Sequence, residues 1–273
     1  MKKLLIITLT VIFAAAFLFS AIYLADHRKN SNENSRLYED LAYQVDQARQ
    51  TIPVESDPHN ASTTEPTSMY TTVTDPETGK EVELLPEYAQ VYLQNNDLVG
   101  WIRIDGTSID YPVLQTPDQK DYYLTRNFDR AESSYGAIYV QENSDVFAPS
   151  DNLVIYGHRM NDGSMFADLH EYKEQSFYEA HPYITFDTLK QRQTYQILSV
   201  FLISSVEDHP FQYHLFVNAQ SQLDFDEFIL NCNTYALYDT GVTASYGDKL
   251  ITLSTCEYSN LNGRLVVVAK LID

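Results

Sequence analysis

Eight short runs of strand-like residues between positions 99 and 271 constrain the fold of this chain more than any other feature. Many of the runs are separated by Gly, Pro, Asn or Asp, which are residues that favour turns. This pattern is typical of antiparallel all-β proteins. We therefore predict a mainly β fold in which eight strands form a closed, mostly antiparallel barrel. The predicted strands are VGWIRI (99–104), IDYPV (109–113), GAIYV (136–140), NLVIY (152–156), YITFD (183–187), QTYQILSVFLI (193–203), KLITLST (249–255) and RLVVVAKL (264–271).

Helical segments are inserted around and between these strands. A proline suits the first turn of a helix over residues 86–97, and Ser164 is a good cap for a second helix at 164–172. The barrel with its helices is expected to form one folded domain, residues 84–273. A third helix is predicted at 224–235, where one face carries Phe225, Phe228, Ile229 and Cys232.

The N-terminal segment, residues 1–29, has the pattern of a membrane anchor. Its run LLIITLTVIFAAAFLFSAIYLA (4–25) has no charged residue and is long enough to span a bilayer core of about 30 Å. Secretory signal peptides have shorter apolar regions, so an uncleaved transmembrane helix is favoured. Cleavage near the small residues Ala14–Ala16 is the alternative. With so short an N-terminal tail, a single-pass membrane protein would place the rest of the chain outside the cytoplasm.

Residues 30–83 connect this segment to the predicted barrel. Leu37, Leu41, Val45 and Ala48 have helical spacing, which predicts a juxtamembrane helix over 34–50. The following stretch, 51–80, contains four prolines, many Thr and Ser, and few large apolar residues. Such a segment cannot bury enough apolar surface to fold alone, so we expect a flexible Thr/Pro-rich stalk.

The charge of the chain excludes one broad class of function. With 18 Lys and Arg against 38 Asp and Glu, the formal net charge is −20. Nucleic-acid binding requires clustered cations that displace phosphate counterions, so no nucleic-acid partner is expected. The chain also lacks an HExxH motif and paired CxxC motifs, so we predict no metal and no cofactor.

The two cysteines lie in different surroundings. Cys232 is on the apolar face of the predicted 224–235 helix, where a free cysteine is usually a small core residue. Cys256 follows a strand whose alternation places Ile251 and Leu253 on one face and Thr252, Ser254 and Cys256 on the other. That second face is small and polar, unlike a packed core, and we interpret Cys256 as the exposed thiol. A Cys232–Cys256 disulfide is the alternative in an oxidising compartment.

Arg264 and His158 are the residues expected to accompany Cys256. If the last two predicted strands form a hairpin, Arg264 and Cys256 lie at the same rim of the barrel, separated by the seven residues EYSNLNG. A guanidinium group there can bind an oxyanion or favour a thiolate. By spacing alone Arg264 could equally be a solvated edge charge. Of the seven histidines, His158 ends an apolar strand, NLVIYGH, where side chains converge without disturbing the core.

These motifs resemble those of the sortases, class B in particular, which are membrane-anchored cysteine transpeptidases of Gram-positive bacteria. The similarity covers residues 84–273. The specific signal is the TLSTC box ending at Cys256, with the upstream His of YGH and a downstream Arg before a Val-rich strand. The resembling stretches are VGWIRIDGTSIDYPVLQ (99–115), LVIYGHRMNDGSMFADL (153–169), LITLSTCEY (250–258) and NGRLVVVAKLI (262–272).

The resemblance implies a fold and a reaction. The family fold is an eight-stranded barrel, with a class B helix between the sixth and seventh strands. Cys256 would be the nucleophile, His158 the acid and base, and Arg264 the oxyanion stabiliser. The enzyme would cleave a C-terminal sorting signal of surface proteins through a thioacyl-enzyme and join the new carboxyl to an amine of a cell-wall precursor or pilin. Position in the motifs further implies substrate contacts by Ser254, Thr255, Glu257, Leu124 and Tyr213, although the last two could be ordinary packing residues.

Two other functions stay open on the sequence alone. A papain-like or wall-remodelling cysteine peptidase would also use Cys and His. Those enzymes place the Cys at a helix start and ahead of the His in the chain, whereas here His158 precedes a Cys on a strand. A non-catalytic membrane-anchored surface protein would share the anchor and the barrel without needing a thiolate.

Overall fold

Eight of the ten strands close into a barrel in the computed structural model, which describes residues 2–51, 69–204, 206, 209–257 and 262–273. The first two strands form a separate hairpin. The strands are β1 (Thr71–Thr74), β2 (Glu81–Leu84), β3 (Leu98–Arg103), β4 (Asp110–Leu114), β5 (Ile138–Val140), β6 (Asn152–Tyr156), β7 (Tyr183–Thr188), β8 (Thr194–Ser204), β9 (Leu250–Glu257) and β10 (Gly263–Leu271).

The predicted barrel is confirmed, and each predicted strand overlaps one barrel strand. Around the barrel the order is β10-β8-β7-β3-β4-β5-β6-β9. The β4–β5 and β6–β9 pairs are parallel and the other neighbours are antiparallel. The parallel β6–β9 pair places the C-terminal ends of two distant strands side by side.

The α-helices of the described residues are α1 (Lys2–Thr51), α2 (Ala89–Gln94), α3 (Gln175–Ala180) and α4 (Gln222–Tyr235). Helix α4 lies between the sixth and seventh barrel strands in the chain, as the resemblance implied. Its apolar face packs against β8 and β10, so residues 265–269 of β10 are buried on both sides of the sheet. This is why the last predicted strand is a nearly continuous apolar run. Four short 3-10 helices complete the elements: Pro86–Tyr88, Tyr122–Leu124, Ala167–Lys173 and Tyr213–Leu215.

Contacts divide the chain into two compact units, Met1–Asp40 and Leu41–Asp273. Helix α1 contains the predicted 34–50 helix and continues without interruption from the N-terminal segment. In the described part of the chain, no helix is both long enough and apolar enough to cross a membrane.

The stalk prediction was wrong for its C-terminal part. Residues 71–84, expected to be flexible as far as Lys80, form the β1–β2 hairpin. Asp75 organises the turn by accepting the backbone N–H groups of Glu77 and Thr78, and Gly79 supplies the left-handed φ of +68°. The high content of proline and threonine led to the prediction of a flexible stalk, although Asp and Gly at these positions are typical turn residues. The remainder of the predicted stalk, 52–68, lies outside the described residues.

Two helix starts differ from expectation. Ser164 does not cap a helix, because the 3-10 helix begins only at Ala167 and the Ser164 hydroxyl donates to Asp162. Helix α4 begins two residues before the predicted 224, since Ser221 accepts the backbone N–H of Asp224 as its N-cap.

Candidate active site

Three strand ends bring His158, Cys256 and Arg264 to one rim of the barrel. Strand β6 ends at Tyr156, and His158 follows two residues later. Cys256 lies near the end of β9, which is the parallel neighbour of β6. Arg264 is directly opposite Cys256 in the antiparallel β9–β10 pair. The barrel thus joins residues that are about a hundred positions apart in the chain.

The hydrogen-bond register sets how close Cys256 and Arg264 are. The Ser254 carbonyl accepts the backbone N–H of Gly157, so Ser254 faces β6. Backbone groups alternate along a strand, so Cys256 also faces β6 and does not bond to β10. Cys256 and Arg264 are therefore a non-hydrogen-bonded pair, in which Cα atoms are only about 4.5 Å apart and side chains approach closely.

Cys256 and His158 form a hydrogen-bonded pair in this candidate site. Their hydrogen bond is the main cause that lowers the pKa of the Cys256 thiol and raises the pKa of the His158 imidazole. Partial burial opposes both shifts, because desolvation penalises a thiolate and an imidazolium alike. The positive charge of Arg264 further lowers the thiol pKa. These directions favour a thiolate beside an imidazolium, the form in which a cysteine is nucleophilic.

The second nitrogen of His158 is held by a backbone carbonyl. Nε2 lies 2.7 Å from the Leu124 oxygen, which can only accept, so Nε2 carries the hydrogen and donates it. Nδ1 is left for the thiol. This bond also raises the His158 pKa, because a carbonyl acceptor stabilises the imidazolium. Leu124, predicted as a substrate contact, therefore also orients the histidine through its main-chain carbonyl.

A glycine makes this arrangement possible. Gly136 has a left-handed φ of +59°, and a Cβ atom there would lie 2.7 Å from the Leu124 oxygen and 3.0 Å from Cδ2 of His158. Only the absence of a side chain allows the 122–124 turn and the imidazole to approach so closely.

The trio lines a cavity of about 300 Å³. Of the predicted substrate contacts, Ser254, Thr255, Leu124 and Tyr213 all line it. Ser254 is only 1% exposed, and its hydroxyl is 2.7 Å from the Tyr213 hydroxyl. Ser254 and Tyr213 thus form one hydrogen-bonded wall of the cavity.

The expectation that Thr252 and Ser254 lie on a face unlike a core was wrong. Both residues are buried, because each hydroxyl has a partner inside the protein: Asn152 for Thr252 and Tyr213 for Ser254. Paired hydroxyl groups can be buried at little cost. Cys256, the last residue of that face, is only partly buried and lines the cavity together with Ser254.

Glu257 is described only by its backbone, which ends β9 opposite Gly263. Its side chain lies outside the described residues, as do residues 258–261 of the loop before Arg264. Arg264 itself is described fully, and its Nη1 donates to the Gly263 carbonyl at 3.1 Å.

The prediction for the other cysteine is confirmed. Cys232 is fully buried on α4 and Cys256 is partly exposed, and both are free thiols rather than a disulfide. Burial raises the pKa of the Cys232 thiol far above its ordinary value. Burial and a protonated thiol both make Cys232 a poor nucleophile.

Several cavity residues were missed by the sequence reasoning. Tyr156 comes directly before Gly157 and His158, so its place at the strand end could have been anticipated. Asp121, with a left-handed φ of +53°, accepts a hydrogen bond from Tyr139 and had no sequence signal. Gln141 and His214 also line the cavity. His170, which was not selected from the seven histidines of the sequence, lies outside the cavity lining but against the Cys256 carbonyl.

A larger cavity of about 1050 Å³ opens at the other end of the barrel, near the starts of β3 and β9. No cysteine or histidine lines it. Chemistry, not size, therefore identifies the smaller cavity as the candidate active site.

Comparison with known proteins agrees with this site. A family model described as the sortase domain matches residues 102–272. The chain belongs to the sortase family. Sortase B of Staphylococcus aureus is 32% identical over 189 residues, which cover 68% of this chain and 75% of that protein. Sortase B of Listeria monocytogenes is 34% identical over 193 residues, which cover 70% of this chain and 76% of that protein.

The fold is similar over an even larger part of the chain. A Staphylococcus aureus sortase B–substrate complex superposes with a TM-score of 0.72 at 26% identity, and the match covers 90% of this chain and 99% of that one. The chain is thus a class B sortase, and class B sortases are cysteine transpeptidases. The family resemblance found in the TLSTC box is confirmed.

Proposed function

We propose that this sortase cleaves a C-terminal sorting signal of surface proteins and joins the new carboxyl group to an amine of a cell-wall precursor or pilin. The observation that carries the proposal is the convergence of His158, Cys256 and Arg264 on one cavity. A thiol paired with an imidazole and facing a fixed cation is suited to acyl transfer.

In the first half-reaction, the Cys256 thiolate attacks the carbonyl carbon of a Thr residue in the sorting signal. Negative charge develops on the carbonyl oxygen, where the Arg264 guanidinium donates hydrogen bonds. The C–N bond then breaks, and His158 gives its proton to the departing amine. The product is a thioester between Cys256 and the substrate.

In the second half-reaction, the incoming amine attacks the thioester carbon. The amine loses a proton to His158, a new peptide bond forms, and the Cys256 sulfur leaves as a thiolate. The imidazolium and thiolate are thereby restored. The Leu124 carbonyl keeps His158 oriented through both proton transfers, because it binds the nitrogen that does not exchange protons.

Substrate contacts are proposed for Ser254, Thr255, Leu124, Tyr213 and Glu257. The first four are supported by their position in the cavity wall. Glu257 is supported only by its place directly after the nucleophile in the sequence.

We also propose that the N-terminal segment anchors the protein in the cell membrane, with the catalytic domain extracytoplasmic. The support is the uncharged run 4–25, which is long enough for a bilayer core. Protease treatment of intact protoplasts should digest the 84–273 domain. Survival of the domain would show that it lies inside the cell and would contradict the proposed topology. Recovery of the full chain in the soluble fraction would contradict the anchor.

The transpeptidase proposal is tested with the full chain in detergent, a library of sorting-signal peptides and competing amines. Mass spectrometry should detect an acyl adduct on Cys256 and a ligated product. The adduct should be absent from Cys256→Ala and present in Cys232→Ala, the matched control at the buried thiol. If folded protein forms no adduct with any peptide, the transpeptidase proposal fails. Adduct hydrolysis without transfer to any amine would favour a cysteine peptidase.

A further inference from the structure

Strand β9 loses its neighbour just before the catalytic cysteine. The last backbone bond between β6 and β9 runs from the Gly157 N–H to the Ser254 carbonyl, at 3.2 Å. The next carbonyl on the same side of β9 belongs to Cys256. Strand β6 has already ended there, so no β6 backbone N–H continues the ladder to this carbonyl.

A histidine side chain occupies the vacant position. Nε2 of His170 lies 3.3 Å from the Cys256 carbonyl oxygen. Because a carbonyl can only accept, Nε2 carries the hydrogen and donates it. The side chain thus replaces the backbone donor that a longer β6 strand would have supplied.

The segment that carries His170 is itself firmly held. It is the 3-10 helix Ala167–Lys173, whose Leu169 and Tyr172 side chains are fully buried. The Tyr172 hydroxyl donates to the His181 carbonyl at 2.8 Å, and Asp168 accepts the Ser108 backbone N–H at 2.7 Å. A donor on such a segment has a fixed position rather than a mobile one.

The same segment also holds the other half of the reactive pair. The backbone N–H of Phe166, directly before the 3-10 helix, donates to the His158 carbonyl at 2.9 Å. Phe166 is fully buried. The 166–170 segment therefore hydrogen-bonds to the main chain of His158 through Phe166, and to the main chain of Cys256 through His170.

We infer that His170 is a positioning residue, which fixes the main chain of Cys256 so that its sulfur stays within reach of His158. This inference rests on the proposed catalytic role of Cys256. The contact of His170 is with the Cys256 carbonyl oxygen, and we assign His170 no part in proton transfer. A small displacement of reacting groups lowers rates strongly even when no chemical group is lost.

The test compares His170→Ala, His170→Gln and His170→Asn in the full chain. The amide nitrogen of Gln is as many bonds from Cβ as Nε2 of His, so Gln can restore the donor. The amide nitrogen of Asn is one bond short and serves as the matched control. His181→Ala is a second control, since His181 also contacts a backbone carbonyl, that of Asp105, outside the cavity.

The first readout is the rate of iodoacetamide alkylation at Cys256 against pH, followed by mass spectrometry of the Cys256 peptide. The charged and titratable groups that face the sulfur are His158, Arg264 and Tyr213, and none of them changes in these variants. Ala and Asn should slow alkylation near neutral pH by about tenfold and move its midpoint to higher pH. Gln and the His181 control should stay within about twofold of the parent.

The second readout is steady-state transfer, in which Ala and Asn should lower kcat with KM little changed. The inference is overturned if Ala behaves like the parent, or if Gln is no better than Asn. If the Ala variant does not fold, the comparison of Gln with Asn still tests whether a donor at position 170 is needed. Alkylation needs no substrate, so a failure of the transpeptidase proposal in the parent protein would leave this test of His170 intact.

Discussion

The two nitrogens of the His158 imidazole have different partners, and this difference defines the candidate mechanism. Nε2 donates to the Leu124 carbonyl, which leaves Nδ1 for Cys256. A histidine held this way keeps its orientation whether or not Nδ1 carries a proton. The same carbonyl raises the pKa of His158 and so keeps the imidazole able to donate a proton to a leaving amine.

Gly136→Ala tests how strongly this arrangement depends on close backbone contact. The added Cβ would meet the carbonyl oxygens of Leu124 and Tyr123 at 2.7 and 2.8 Å, and neither is a flexible side-chain end. We expect kcat to fall by about tenfold or more, because the Leu124 carbonyl must shift away from His158. Stability should also fall by more than the roughly 1–2 kcal/mol that a left-handed L-residue costs. The measurements are transfer kinetics and the melting temperature.

Gly79→Ala is the matched control for this substitution. Gly79 also has a left-handed φ, of +68°, but a Cβ there has nothing within 4 Å. This variant should therefore lose stability through backbone strain alone and keep its kcat. Equal kcat values for the two variants would show that the Gly136 contact does not matter to the reaction.

At the scale of elements, the β1–β2 hairpin is held by one carboxylate. Asp75 accepts the Tyr92 hydroxyl at 2.6 Å from helix α2, in addition to two backbone N–H groups of its own turn. These hydrogen bonds, that of Tyr92 first, hold the pKa of Asp75 well below its ordinary value of 3.8. The hairpin is thus connected to helix α2 through Asp75.

The depressed pKa of Asp75 predicts a pH-dependent contribution to stability. A carboxylate whose pKa is lower in the folded state stabilises the protein fully above its unfolded pKa and loses this effect as the pH falls towards the folded pKa. Asp75→Asn should therefore lower Tm at about pH 7, and the gap to the parent should narrow below about pH 4. Thermal unfolding at several pH values measures both.

Asp105→Asn provides the comparison for Asp75. The Asp105 side chain is 85% exposed and pairs with Arg103 at the surface, where ion pairs contribute little. The Tm of the Asp105→Asn variant should follow that of the parent at every pH. A gap for Asp75→Asn that is constant with pH would contradict the role assigned to its charge.

For the whole molecule, the site exists because the barrel closes between β6 and β9. At the start of β6, far from the catalytic rim, the fully buried Asn152 bridges several segments. Its Oδ1 accepts the Thr252 hydroxyl of β9 at 2.8 Å, and its Nδ2 donates to the Phe216 carbonyl at 2.8 Å. The side chain therefore joins the closing pair of strands to the loop that precedes α4.

Asn152→Ala should destabilise the barrel without removing the chemistry. It leaves the buried Thr252 hydroxyl and Phe216 carbonyl unpaired, at a cost of about 2 kcal/mol. For a domain of this size we expect Tm to fall by roughly 4–8 °C. The folded state should still dominate at about 25 °C, so transfer activity there should be nearly unchanged.

Asn231→Ala is the corresponding surface variant, because Asn231 makes an exposed hydrogen bond within α4. Its Tm should change little. Loss of transfer activity in Asn152→Ala at low temperature, while the protein remains folded, would contradict the prediction that Asn152 contributes to stability and not to the reaction.

Local pattern was enough to predict the eight barrel strands, helix α4, the buried Cys232 and the family. Strand alternation and helical spacing depend on neighbouring residues, and the TLSTC box lies within one strand. The hairpin at 71–84 was missed because an Asp-centred turn in a Thr/Pro-rich segment resembles a linker. The starts of the inserted helices were missed because caps depend on which side chain reaches the first free N–H groups.

The supports of the candidate site could come only from the folded chain. The Leu124 carbonyl is 34 residues from His158, and His170 is 86 residues from Cys256. A carbonyl acceptor has no side-chain signature, since every residue type carries one. The sequence around His170 likewise does not indicate that strand β6 ends next to this short helix. Residue identity thus indicated the candidate reactive groups, whereas barrel closure decided what holds them in place, because the closing strands set which distant backbone atoms meet.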